Sequence, residues 1–201
     1  MSDARMCPFS AICIQSMCDL SCPKNAMSDL MFSKSRIDKM SKVYQVNQLN
    51  KRKCADLIAS TPAGGIKCIE SVNNYDKDTN LVADTLVFVG ICDNCLQHGS
   101  SISVYHLKFS TYIQDLRDSW SNGLSSSLKD IQSIILNCKL LIISGLDYIQ
   151  FKDYECQILL NLLDNRTRID QKTVIVVHSI ESLSGTGTFF NAMKFRLKGS
   201  T

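Results

Sequence analysis

The sequence predicts an α/β protein: a parallel sheet with helices on both faces, joined to a small cysteine-rich N-terminal module. Leu140-Leu141-Ile142-Ile143 is a continuous apolar run ending in the small-residue turn Ser144-Gly145, as expected of a strand buried on both faces. Two further apolar runs flank it in the chain, Leu86-Val87-Phe88-Val89-Gly90 and Val174-Ile175-Val176-Val177. Between the runs, apolar residues recur every three or four positions, the period of a helix with one buried face. Strands separated by helices of this length imply parallel pairing in a covered sheet.

The 201 residues suffice for one main domain, of a size that buries roughly 70% of its unfolded surface. With 45% apolar and 20% charged residues the composition is that of an ordinary globular protein. No apolar run approaches the ~18 to 20 residues of a membrane span. The N-terminus has no basic stretch followed by an apolar one, so the expected location is the cytoplasm, with no membrane partner. A net charge of +3 is too small for a nucleic-acid coat. Local basic clusters remain at Lys51-Arg52-Lys53 and at Lys194, Arg196 and Lys198. The first is the candidate nucleic-acid contact.

Taken in order, residues 1 to 24 carry Cys7, Cys13, Cys18 and Cys22 in the spacing C-x5-C-x4-C-x3-C, with little apolar periodicity. Such a segment cannot build its own core, and four thiolates on zinc or an iron–sulfur cluster would supply the missing folding energy. Free thiols are the alternative. Met27, Leu30 and Met31 fit a short helix, Val43, Val46 and Leu49 continue a stripe, and Cys54, Leu57 and Ile58 fit a helix ending near Thr61-Pro62. This places a cysteine-rich module and helical lead-in at 1–62 and the main α/β domain at 63–201. Ile66 to Ile69 is a short candidate strand, and the polar run 73–80 reads as a solvated turn.

In the main domain, Leu86 to Gly90 reads as a buried parallel strand and Ile102 to Leu107 as another. Phe109, Ile113, Leu116 and Trp120 share one helix face, and Leu128, Ile131, Ile134 and Ile135 form a second stripe leading into Leu140. Tyr154, Ile158, Leu159, Leu162 and Leu163 form a third, before the strand at Val174.

A phosphate-binding loop of the form G-x-x-x-x-G-K-[ST] is expected after the first strand. Counted from Gly90, Leu96 and Gln97 fall where the lysine and hydroxyl residue belong. The gap up to Gly99 is also too short for the helix that normally follows. Cys92 and Cys95 form a C-x2-C pair with His98 nearby, for which zinc, a redox role or a plain connector are all open. His106 and His178 read as satisfied core or strand-end histidines, and no nucleophile–histidine–carboxylate set is recoverable.

From about residue 27 to 197 the chain resembles the bacterial and phage helicase loaders of the DnaC/DnaI type, AAA+ proteins that place the replicative helicase on DNA. Ser35 to Met40 looks like the family's lead-in, with Asp38 in place of its proline, and Leu86 to Gly90 looks like its first core strand. His98 to Tyr105 resembles the segment opening the second strand, and Phe109 to Trp120 the leucine-rich helix. Leu140 to Asp147 matches the strand carrying the family's Asp-Asp pair, and Phe151 to Arg166 the helix that ends in a kept arginine. Thr173 to Ser179 matches the sensor strand, and Met193 to Leu197 the final Arg-Leu, in which Arg196 is the candidate contact to a partner's nucleotide. An N-terminal cysteine cluster also occurs in some phage members.

The departures fall on the ATP site. Ser144-Gly145 replaces the acidic pair, Ser179 the sensor asparagine, and the loop counted from Gly90 lacks its lysine. Phosphoryl transfer depends on such charge-handling groups. The resemblance therefore implies a pseudo-ATPase of phage or mobile-element type, needing no ATP or magnesium, that binds a replicative helicase or an active AAA+ loader. Single-stranded DNA binding, or metal and redox sensing by the N-terminal cysteines, are the alternatives.

Overall fold

The computed structural model describes residues 54, 56–71, 79, 82–87, 90, 104–123 and 125–200. In chain order these include β1 (Ile66–Glu70), β2 (Val104–Lys108), α1 (Phe109–Asn122), α2 (Ser126–Asn137) and β3 (Leu140–Ser144). A 3-10 turn (Leu146–Tyr148) leads to β4 (Gln150–Phe151), α3 (Asp153–Arg168), β5 (Lys172–Val177), β6 (Ser184–Gly185) and α4 (Thr188–Lys198). The main sheet is parallel in the order β1-β5-β3-β2. β4 and β6 form a small parallel pair of their own.

β3 lies inside the sheet and all five of its residues are buried, which accounts for its unbroken apolar run. One sheet face carries Leu107, Leu141, Ile143, Ile175 and Val177 into a core shared with Phe109 and Leu116 of α1, Ile135 of α2, Leu159 and Leu163 of α3, and Met193 and Leu197 of α4. Gly90 marks the other face, where an added Cβ would lie 2.7 Å from the Leu140 side chain.

The strand expected at Leu86 to Gly90 is not a strand: residues 82–87 and 90 are helical. Val82, Ala83, Leu86 and Val87 are buried, and their spacing is that of one helix face. Read alone, a five-residue apolar run has too little length to show that period. Among the described residues the first core strand is instead β1, and the helical residues 82–87 stand between β1 and β2. The helix expected to be deleted is therefore present, one step earlier in the chain. Thr79, in the run read as a solvated turn, is helical and only 4% exposed.

Element ends follow local chemistry. Ser125 caps α2 by accepting the Leu128 N–H, and Glu155 reaches back to accept the Lys152 N–H at the start of α3. Gly145 has φ +81°, a left-handed conformation that lets β3 turn at once into the 3-10 segment. Arg166 of α3 is fully buried and donates to Thr173 Oγ1, to the Ile135 and Leu136 carbonyls that end α2, and to the Lys172 carbonyl. One planar guanidinium thus joins α3, α2 and β5. The helix expected around Cys54 to Ile58 is present at 54 and 56–60, where Lys172 Nζ donates to the Ile58 carbonyl. The helices and stripe expected between 27 and 49 lie outside the described residues.

Candidate functional site at the carboxyl ends of the strands

In a parallel α/β sheet, ligands bind beyond the carboxyl ends of the strands. Here those ends bring together Glu70 of β1, Ser144 of β3 with Gly145 and Asp147 beyond it, and His178 and Ser179 after β5. With β1 as the first strand, the phosphate-loop register moves. Counted from Ser71, the pattern G-x-x-x-x-G-K-[ST] falls on Ser71-Val72-Asn73-Asn74-Tyr75-Asp76-Lys77-Asp78. In this register Lys77 stands at the lysine position. Both glycines are replaced, by Ser71 and Asp76, and Asp78 stands where a magnesium-binding hydroxyl belongs. Residues 72–78 lie outside the described residues, as do Leu96 and Gln97 of the loop first expected; Gly90 is helical rather than in a loop.

Ser144 occupies the place where such strands carry an acid, and it is engaged internally. His106 of β2 lies two residues short of Ser144 in the β2–β3 register, on the same sheet face. His106 Nε2 and Ser144 Oγ are 2.8 Å apart, and His106 Nδ1 lies 3.4 Å from Asp84 Oδ1 of the helical residues 82–87. This is a serine–histidine–carboxylate chain whose members are far apart in the sequence. It is not a nucleophile site: Ser144 has no exposed surface and the His106 side chain is 2% exposed, so no substrate atom reaches Oγ. His106 is a satisfied buried histidine, as expected.

Two carboxylates bind the loop after β5. Glu70 Oε1 accepts the Ile180 N–H at 2.6 Å and the Ser179 hydroxyl at 3.2 Å. Asp147 Oδ1 accepts the His178 N–H at 2.9 Å, whereas Asp147 Oδ2 is buried with no hydrogen-bond partner. Burial raises the Asp147 pKa above the ordinary carboxylate value, and the His178 N–H opposes that only in part. Ser71 Oγ is likewise buried and unpartnered. Ser179, expected at the sensor position, holds Glu70.

Arg196 of α4 forms an ion pair with Asp164 of α3 at 2.7 Å. Cys7, Cys13, Cys18 and Cys22, the basic run Lys51-Arg52-Lys53, and Cys92, Cys95 and His98 lie outside the described residues. Cys54, Cys68, Cys138 and Cys156 are free and buried, and burial pushes the Cys54 and Cys68 thiols up to about 12 and that of Cys156 to about 11. These four are protonated, unreactive core residues. Among the described residues no group of three or more His, Cys, Asp or Glu side chains is placed to hold a metal ion, and no helix is long and apolar enough to cross a membrane.

The sequence singles out Ser144 and His106 separately but not their contact, nor the parts taken by Asp84, Glu70 and Asp147. Only strand register could have joined the first three, because they come from three separate elements.

No protein-family model matches the sequence, and no curated protein matches it. Solved structures do. Domain III of the Thermotoga maritima replication initiation protein DnaA superposes with a TM-score of 0.51 at 12% identity, over 74% of this chain and 58% of that one. AMPPCP-bound DnaA from Aquifex aeolicus gives 0.52 at 10% identity, over 91% of this chain and 50% of that one. The replication initiator DnaA bound to AMPPCP and single-stranded DNA gives 0.54 at 9% identity, over 90% and 50%. The chain thus spans half to three fifths of the structures it resembles. The chain therefore shares the fold of these DnaA structures.

Proposed function

We propose that this protein is a non-catalytic DNA-replication accessory factor, a helicase-loader-like pseudo-ATPase that binds a replicative helicase or an active AAA+ loader. The observation that carries the reading is Ser144. In an AAA+ fold of the replication-initiator kind, the residue at the magnesium-binding position is a neutral serine already bonded to His106. The acids at the neighbouring strand ends are committed as well: Glu70 to Ser179 and Ile180, and Asp147 to His178. Lys77 alone, without the glycines whose backbone cradles phosphate, supplies little of the electrostatic stabilisation that phosphoryl transfer requires. No ATP or magnesium is needed on this reading.

The partner is a helicase ring or loader, with Arg196 on the contacting face. Mixing the full chain with the replicative helicase of its host cell should give a complex on size-exclusion chromatography, and Arg196→Ala should lower the partner's ATPase rate in that complex. No complex with either helicase or loader would overturn the assignment. The N-terminal cysteines Cys7, Cys13, Cys18 and Cys22 would hold zinc or an iron–sulfur cluster and serve as a metal or redox sensor; anaerobic purification with metal analysis reads this directly.

A second reading is favoured by one neighbour, whose structure contains single-stranded DNA. Here Lys51, Arg52 and Lys53 would contact phosphates. It requires salt-dependent binding to an oligonucleotide, and no binding at low salt would remove it.

A further inference from the structure

We infer that the Ser144–His106–Asp84 chain is a metal-free substitute for the magnesium bridge, tying the helix after the phosphate-loop segment to the interior of the sheet. The inference rests on the pseudo-ATPase reading and adds a function for the residues that replaced the chemistry. In a nucleotide-dependent site, an acid at the end of the third strand and the hydroxyl at the head of the loop helix meet through a bound metal ion. Their connection then depends on ligand. Here the connection is made by side chains: a hydrogen bond between hydroxyl and imidazole at 2.8 Å and a contact between imidazole and carboxylate at 3.4 Å.

The geometry fits this role. His106 sits on β2 and Ser144 on β3, so a register of parallel strands brings imidazole and hydroxyl to the same face. Asp84 is supplied by the helical residues 82–87, whose Val82, Ala83, Leu86 and Val87 are buried beside it. The chain is largely buried: Ser144 is 0% exposed, and the His106 and Asp84 side chains are 2% and 13% exposed. Buried polar groups of this kind are costly when half-satisfied and rigidifying when linked in a chain. An imidazole offers two ring nitrogens pointing in opposite directions, so it can span two elements that neither a serine nor an aspartate could join alone.

The consequence is a domain whose helix and sheet stay coupled whether or not nucleotide is present. The test is a double-mutant cycle on the full chain, read by denaturant unfolding in EDTA and again in magnesium with AMPPCP. Ser144→Ala and Asp84→Ala should each lower the folding equilibrium constant about tenfold or more. Combined, they should lower it by several-fold less than the product of the two single effects, because each already breaks the chain at His106. Ser144→Thr, which keeps the hydroxyl on a β-branched side chain suited to a strand, should restore most of the loss, and near-isosteric Ser144→Cys, a weak hydrogen-bonding group, provides the cycle's second arm if the alanine variant does not fold. Single effects that simply multiply, or a Ser144→Thr variant as damaged as Ser144→Ala, would overturn the bridge. A wild-type unfolding midpoint that rises with magnesium and AMPPCP would instead overturn the pseudo-ATPase reading, so the two failures are distinguishable.

Discussion

Asp147 Oδ1 accepts the backbone N–H of His178 at 2.9 Å while its second oxygen is buried and unpartnered, so one carboxylate both anchors the loop after β5 and is only partly satisfied. Burial raises its pKa in the folded state. The folded protein therefore holds this proton more tightly than the unfolded chain, and the contribution of Asp147 to stability declines as pH rises from the ordinary carboxylate value through the raised one. Asp147→Asn keeps the acceptor for His178 and removes the charge. It should abolish that decline, leaving the variant at least as stable as the wild type at neutral pH. Urea unfolding between pH 4 and 8 checks this, and an unchanged slope would refute it.

Glu155 behaves in the opposite sense. It is buried at the start of α3, and although burial pushes its pKa up, hydrogen bonds from Arg117 and the Lys152 N–H outweigh that and hold it below the ordinary value. Its stabilisation is present above the unfolded value and lost as pH falls through the lowered one. Glu155→Gln should cost about 1.5 to 3 kcal/mol at neutral pH and should flatten the acid limb of the stability profile.

Arg166 is the clearest stability determinant. Its guanidinium donates to Thr173 Oγ1 and to carbonyls of Ile135, Leu136 and Lys172, and no solvent reaches it. Arg166→Leu leaves those acceptors buried without donors and should destabilise by at least about 3 kcal/mol. Arg166→Lys should recover only part of this, because a single ammonium cannot reproduce the planar fork. The midpoints of chemical denaturation report both.

The Glu70 carboxylate predicts a local effect rather than a global one. In Glu70→Ala the Ile180 N–H loses its acceptor, and its amide exchange should quicken about tenfold. Glu70→Gln, which keeps a neutral acceptor, should fall between. Amide exchange followed by NMR separates Ile180 from the strand amides of β5, which should not change.

Elements with many turns or full burial were legible in the sequence. β3 announced itself by four apolar residues in a row, and α1, α2 and α3 by stripes that extend over three turns or more. The failures were short and local. Leu86 to Gly90 carries β-favouring residues, but tertiary packing places Leu86 and Val87 on a helix face with Val82 and Ala83. With β1 as the strand before the loop, the phosphate-loop register counts from Ser71 rather than Gly90 and takes in Lys77. The replaced acid at Ser144 was legible, because its position follows from the strand itself. Its partners were not: His106 and Asp84 meet it only through the β2–β3 register and the helix packed on the sheet.

On the proposed reading the chain keeps a DnaA-like fold without nucleotide binding, and calorimetric titration of the full chain with AMPPCP in magnesium tests this most directly. The account predicts no saturable heat at millimolar nucleotide. Saturable one-to-one binding in the micromolar range, lost in Lys77→Ala, would contradict it.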